Sequence, residues 1–115
     1  MNKFLTIDFP LIYKQKGRSL FAGPKNGKIL LKKLSPCYFL KRNRYINVIK
    51  NNDIVVSSSF YFGLLNPLFK GKNESYIREH LYLDGVLYKK NDDMEIERAI
   101  RRILSQKKNF IAYFF

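Results

Sequence analysis

The apolar positions of this chain change period along its length, and the changes mark the elements. Lys3 to Ile7 reads as a short first strand. Leu11-Ile12-Tyr13 runs into a polar turn, Lys14-Gln15-Lys16-Gly17, and Ser19-Leu20-Phe21-Ala22 is a short apolar run before Gly23-Pro24. Proline is favoured at a helix start, where its missing N–H costs nothing. Asn26 is a candidate cap, and Ile29, Leu30, Leu31 and Leu34 then fall at helical spacing until Ser35-Pro36 stops the helix. Tyr45-Ile46-Asn47-Val48-Ile49 and Ile54-Val55-Val56 read as a central strand bent at Asn51-Asn52-Asp53. Beyond Ser57-Ser58-Ser59 the period becomes helical, with Phe60, Leu64 and Leu68 on one face. Gly63 lies on that apolar side, where a missing Cβ permits close approach to the sheet, and Pro67 helps end the helix. Lys70-Gly71-Lys72-Asn73 is a loop, His80 to Leu83 a strand, and Asp84-Gly85 a turn.

The last helix has the clearest pattern. Asp92, three residues before Glu95, resembles a capping box, and Ile96, Ala99, Ile100, Ile103 and Leu104 form one apolar face. Glu97 and Arg101 are spaced as a surface i,i+4 pair, and Lys107-Lys108 suit the helix C-terminus. Phe110 to Phe114 reads as a final strand or a docking tail. Strands alternating with helices predict an α/β fold: one domain over residues 1–115, a mixed sheet of four to five strands and about three helices packed on it.

Composition agrees with a packed domain. The chain has 115 residues, 46% of them hydrophobic, with ten Phe and eight Tyr, so global disorder is not expected. The single cysteine, Cys37, excludes an intramolecular disulfide. No apolar run is long enough to span a bilayer, and the N-terminus lacks the apolar core of a signal peptide, so a cytoplasmic protein with no membrane association is expected.

Charge changes the picture more. The net charge is +13, and it is uneven. Residues 1–52 hold twelve Lys or Arg against one acid, Asp8, and residues 53–115 hold ten against eight, giving +11 and +2. Such a field favours an anionic partner: nucleic acid, an acidic protein or a membrane surface. A composition rich in Lys, Asn and Ile also follows from coding DNA rich in A and T, and both causes stand at this point.

Little in the chain looks like chemistry. Gly23-Pro24-Lys25-Asn26-Gly27-Lys28 differs from a nucleotide-binding P-loop: three residues separate its glycines rather than four, and Ile29 replaces the Ser or Thr after the lysine. His80 is the only histidine and has no Cys or His neighbour at metal spacing; Cys37 lies 43 positions away. The carboxylates Glu74, Glu79, Asp84, Asp92, Asp93, Glu95 and Glu97 fall mostly on polar faces or caps. No catalytic residue, metal site or cofactor is therefore expected, and the protein is read as a non-enzyme.

Two binding sites are candidates. Ser57, Ser58 and Ser59 stand where a strand delivers the chain onto a helix start, where N–H groups and the helix dipole favour an anion. One serine serves as a cap, and three exceed what a cap requires. The second candidate is basic. Lys32, Lys33, Lys41, Arg42 and Arg44, with Arg98, Arg101 and Arg102, alternate with aromatics such as Tyr38, Phe39 and Tyr45, a composition suited to single-stranded nucleic acid. No aromatic pair at the spacing of an RNA-reading sheet is visible in the sequence.

Two of these segments carry a family resemblance. Gly23-Pro24-Lys25-Asn26-Gly27, with a helix ending in Leu34-Ser35-Pro36, is similar to the "GP-x-S-G" segment of a STAS-like family of unknown function. Ser58-Ser59-Phe60 with Gly63-Leu64-Leu65 is similar to its "sSF…G-L" segment. The likeness covers roughly residues 17–70. It implies a compact α/β domain, related to anti-sigma-factor antagonists, that is not an enzyme. It also implies regulation and signal transduction through a protein partner, such as an ATPase of histidine-kinase type. In the antagonists a serine of "D-S-S-G" accepts phosphate at a helix start. That serine falls on Ser58, while Ser57 stands for the Asp and Phe60 for the Gly. The runner-up function is a small basic nucleic-acid-binding protein or an inhibitor carried by a phage or mobile element.

Overall fold

The computed structural model describes residues 4–16, 20–35, 45–51 and 53–114; Gln15, Lys16, Leu20 and residues 107–114 are described in their backbone only. The first strand, β1 (Phe4–Asp8), runs straight into a helix, α1 (Phe9–Lys16), where the sequence pattern reads as a turn. The reason is local. The Asp8 carboxylate accepts the Leu11 N–H at 3.0 Å, and Pro10 suits a first helical turn. A short strand, β2 (Leu20–Phe21), leads to α2 (Pro24–Leu34), which starts at Gly23-Pro24 rather than at Asn26. The Asn26 amide instead donates to the Ala22 carbonyl.

The expected bent strand is two strands in two sheets: β3 (Tyr45–Ile49) and β4 (Val55–Val56). After β4 comes α3 (Ser58–Phe69), with Pro67 inside its last turn, and then a short helix, α4 (Glu74–Glu79). The sequence reading misses α4 although Asn73 caps it, its Oδ1 accepting the Tyr76 N–H at 2.8 Å. Next, β5 (Leu81–Leu83) and β6 (Val86–Leu87) form a hairpin through Asp84 and Gly85, whose φ angles of 52° and 82° match the two left-handed positions of a type I′ turn. The last helix, α5 (Met94–Phe114), begins one residue later than a cap at Asp92 predicts. Asp93 is the cap, accepting the N–H groups of Glu95 and Ile96. Phe110 to Phe114 continue this helix rather than form a strand.

The α/β expectation holds. The main sheet has four strands in the order β1-β3-β5-β6, with β1, β3 and β5 parallel and β6 antiparallel; β2 and β4 form a separate parallel pair. Leu5, Ile46 and Leu81 lie in register across the three parallel strands and are buried together. The described residues thus hold five helices rather than three.

Helix α3 is central. Helix α2 lies along it on one side and α5 on the other. Ile96, Ala99, Ile100 and Ile103 are buried as expected, but the main partner of α5 is α3 rather than the sheet. Gly63 likewise faces α2 and not the sheet: a Cβ there would lie 1.8 Å from the Pro24 carbonyl oxygen. Gly27 is its counterpart, where a Cβ would lie 2.1 Å from the Phe60 carbonyl oxygen. The two helices cross backbone to backbone because each has a glycine at the crossing. No helix among the described residues is long and apolar enough to cross a membrane.

Candidate functional site

The serine cluster sits where the sequence places it, at the first turn of α3, but the turn is already occupied. The Ser57 Oγ accepts the Phe60 N–H at 3.1 Å and lies 3.1 Å from the Ser59 Oγ. The Ser58 N–H donates to the Glu95 carboxylate, 2.9 Å away on α5. The expectation of open N–H groups at this start is therefore corrected: the protein supplies its own anion. A second tie, from the Ser57 N–H to the Phe21 carbonyl, holds the turn against β2. All three serines are half-buried.

Beneath this turn Tyr61 is fully buried, and its hydroxyl has no hydrogen-bond partner in the described structure. Burial, reinforced by Asp93, Asp84 and Glu95, pushes its ionisation far above the usual tyrosine range, so the hydroxyl stays neutral. An unpaired buried hydroxyl costs about 1–3 kcal/mol. Tyr61→Phe is therefore expected to leave the melting temperature unchanged or raise it, as read by thermal denaturation. A clear loss of stability would show that the hydroxyl has a partner.

Glu97 departs most from its sequence reading. It is buried rather than on a polar face. Arg78 clamps it with two hydrogen bonds, of 2.6 and 3.1 Å, and Tyr88 Oη and the Asn91 N–H donate to it as well. Arg101, the expected partner, stands 3.8 Å away at the edge. This cluster ties α4 and the segment after β6 to α5. Four hydrogen bonds converge on the one buried carboxylate, which makes the cluster a clamp between these elements.

The sheet face opposite the core gathers aromatics that the sequence keeps apart. Phe4, Tyr45 and Tyr82 come from β1, β3 and β5 and meet at centroid distances of 5.1–6.1 Å. Tyr45 stacks on His80 at 4.8 Å, His80 on Tyr76 at 3.9 Å, and the Lys72 ammonium lies 4.7 Å over the Tyr76 ring. His80 is thus stacked between Tyr45 and Tyr76, while Tyr82 meets Phe4 and Tyr45 edge to face and all three of these rings are half-buried. The His80 Nδ1 lies 2.8 Å from the Tyr76 carbonyl. Among the described residues no group of His, Cys, Asp or Glu could hold a metal ion.

The basic candidates divide. Lys41, Arg42 and Arg44, like Cys37, lie outside the described residues. Lys32 and Lys33 are exposed on the last turn of α2 and belong to a larger set with Lys25 and Lys28. None of these four forms an ion pair among the described residues, and α2 carries no acid. Beside them α1 and α2 expose Leu11, Tyr13, Ile29 and Leu34. Between the two helices lies a cleft of about 240 Å³, walled by Ile12, Asn26, Ile29, Leu30 and Lys33 and floored by Phe21 and Phe60. Phe60 belongs to the same first turn as the serines. The cleft was not legible in the sequence, because its walls come from four elements. The chain matches no family model, no curated protein and no solved structure.

Proposed function

We propose that this domain is a non-enzymatic binding module whose partner is an acidic protein. One observation carries the reading: α2 presents four exposed lysines that form no ion pair among the described residues, beside exposed aliphatic side chains. Unpaired charge of one sign steers and selects an oppositely charged partner, and apolar surface next to it adds affinity on contact. The STAS-like resemblance contributes a partner class, an ATPase of histidine-kinase type, and makes the module regulatory. The binding surface proposed here lies on the α2 side of the serine turn, since Glu95 already fills the turn itself.

The test is the triple variant Lys25→Glu/Lys28→Glu/Lys32→Glu. These side chains are exposed and form no ion pair among the described residues, so each change should move stability by no more than about 0.5 kcal/mol. Captured partners should be identified, purified and titrated against both proteins. The parent should bind an acidic protein with an affinity that falls as salt rises, and the variant should not. Capture of the same proteins by both would defeat the reading. Retention of a single-stranded oligonucleotide by the parent, with a steep salt slope and loss in the variant, would replace the protein partner by nucleic acid.

A further inference from the structure

We propose that the cleft between α1 and α2 receives an acidic amphipathic helix of the partner protein. The inference rests on the binding reading above and specifies the shape of what binds. The α2 wall is formed by Asn26, Ile29, Leu30 and Lys33. These positions are i, i+3, i+4 and i+7, one face of the helix over two turns, or about 10.5 Å. The wall is thus apolar in the middle and polar at both ends. Ile12 of α1 stands opposite, and the Phe21 and Phe60 rings form the floor, in edge contact at 5.5 Å. A ligand helix with apolar residues at matching spacing fits such a groove, which is how helices dock into hydrophobic clefts.

Charge completes the description. Along α2 the lysines at 25, 28 and 32 form a second stripe, i, i+3 and i+7, next to the groove wall. The sole acid in residues 1–52, Asp8, caps α1, so no carboxylate of that half is free to neutralise the stripe. A ligand helix with Glu or Asp flanking its apolar face meets both stripes at once. Competing occupants fit less well. The cleft, about 240 Å³, is smaller than the roughly 300–1,000 Å³ of most small-molecule sites. Its two aromatic rings are buried, at 6% and 3% exposure, so they present little surface for a base to stack on. A membrane surface would meet a ridge more readily than a cleft floored by buried rings.

The probe is a fluorescein-labelled synthetic peptide, an amphipathic helix with Leu at i, i+4 and i+7 and Glu on either side, titrated by anisotropy. The protein variants are Ile29→Ser and Lys33→Glu, both at exposed positions, with melting curves to show that they remain folded. The parent is expected to bind saturably, and each variant at least about tenfold more weakly. A control peptide with Ser in place of Leu should lose binding to the parent. The proposal is overturned by absence of saturable binding, by equal affinity for the Ser peptide, or by indifference to Ile29→Ser. It is also overturned if anionic vesicles or oligo-dT bind through Ile29 while the peptide does not. In each of those cases the wider reading still stands if the lysine triple variant loses its protein partner, so the two failures are told apart.

Discussion

Alanine at position 63 should abolish cooperative folding or lower stability by more than about 4 kcal/mol, the range reserved for severe disruptions. A Cβ there would meet the Pro24 carbonyl oxygen at 1.8 Å and its carbonyl carbon at 2.5 Å. Both are backbone atoms inside a helix, so no rotamer change relieves the clash. The ordinary gain from Gly to Ala in a helix is about 1 kcal/mol and is far outweighed. Relief requires α2 and α3 to separate, which opens the contact that organises the helical layer. Gly27→Ala should behave similarly, since its Cβ would meet Phe60 O at 2.1 Å and Leu64 N at 2.8 Å. Gly85→Ala is the control: open space surrounds it, and only its φ of 82° penalises a side chain, by about 1–2 kcal/mol. Thermal and urea unfolding of the three variants gives the comparison. A Gly63→Ala protein melting within a few degrees of the parent would show that the helices do not cross this closely.

Acid should weaken the fold through Glu97. Hydrogen bonds from Arg78 hold its carboxyl down to about 2 against an ordinary value of 4.5, with Asn91 and Tyr88 helping and burial opposing. A carboxylate with a lowered native pKa stabilises above its unfolded pKa, and that stability disappears as pH falls toward the native value. The loss should therefore fall between about pH 4.5 and 2 and amount to about 3 kcal/mol from this group. Glu97→Ala should cost about 3 kcal/mol at neutral pH, because it strips two hydrogen bonds from the half-buried Arg78, which keeps only the exposed Glu74, and one from the buried Tyr88 hydroxyl. The same variant should flatten the acid limb of the pH–stability curve. Unfolding free energy measured from pH 7 to pH 2 in both proteins decides it. An acid limb of unchanged steepness in Glu97→Ala would remove Glu97 as its source.

Much of the fold was legible because its signals are local. Ser57 caps α3 three residues before the N–H it accepts, Ile96, Ile100 and Ile103 repeat at helical spacing, and Asp84-Gly85 turns a hairpin whose strands are adjacent in sequence. Helix α1 was missed although its cap, Asp8, was in view, because eight residues starting at Phe9-Pro10 show too few turns to reveal a period. The candidate sites were harder. The serine cluster was found but its state was not, since Glu95 reaches Ser58 across 37 positions. Glu97 read as a surface residue because its neighbour at i+4 is Arg101, while the arginine that holds it lies 19 positions upstream.

The sequence by itself determined the start of α3, the apolar faces of α3 and α5, the Asp84-Gly85 turn, and that the first half is strongly basic. Each depends on residues a few positions apart, and backbone geometry brings such residues together whatever the rest of the chain does. The tertiary structure alone decided that Gly63 meets Pro24, that the α3 start is filled by Glu95, and that Ile12, Ile29, Phe21 and Phe60 enclose one cleft beside a lysine stripe. Those pairings come from how whole elements pack, and packing selects partners by shape and burial across the chain, which no local spacing records.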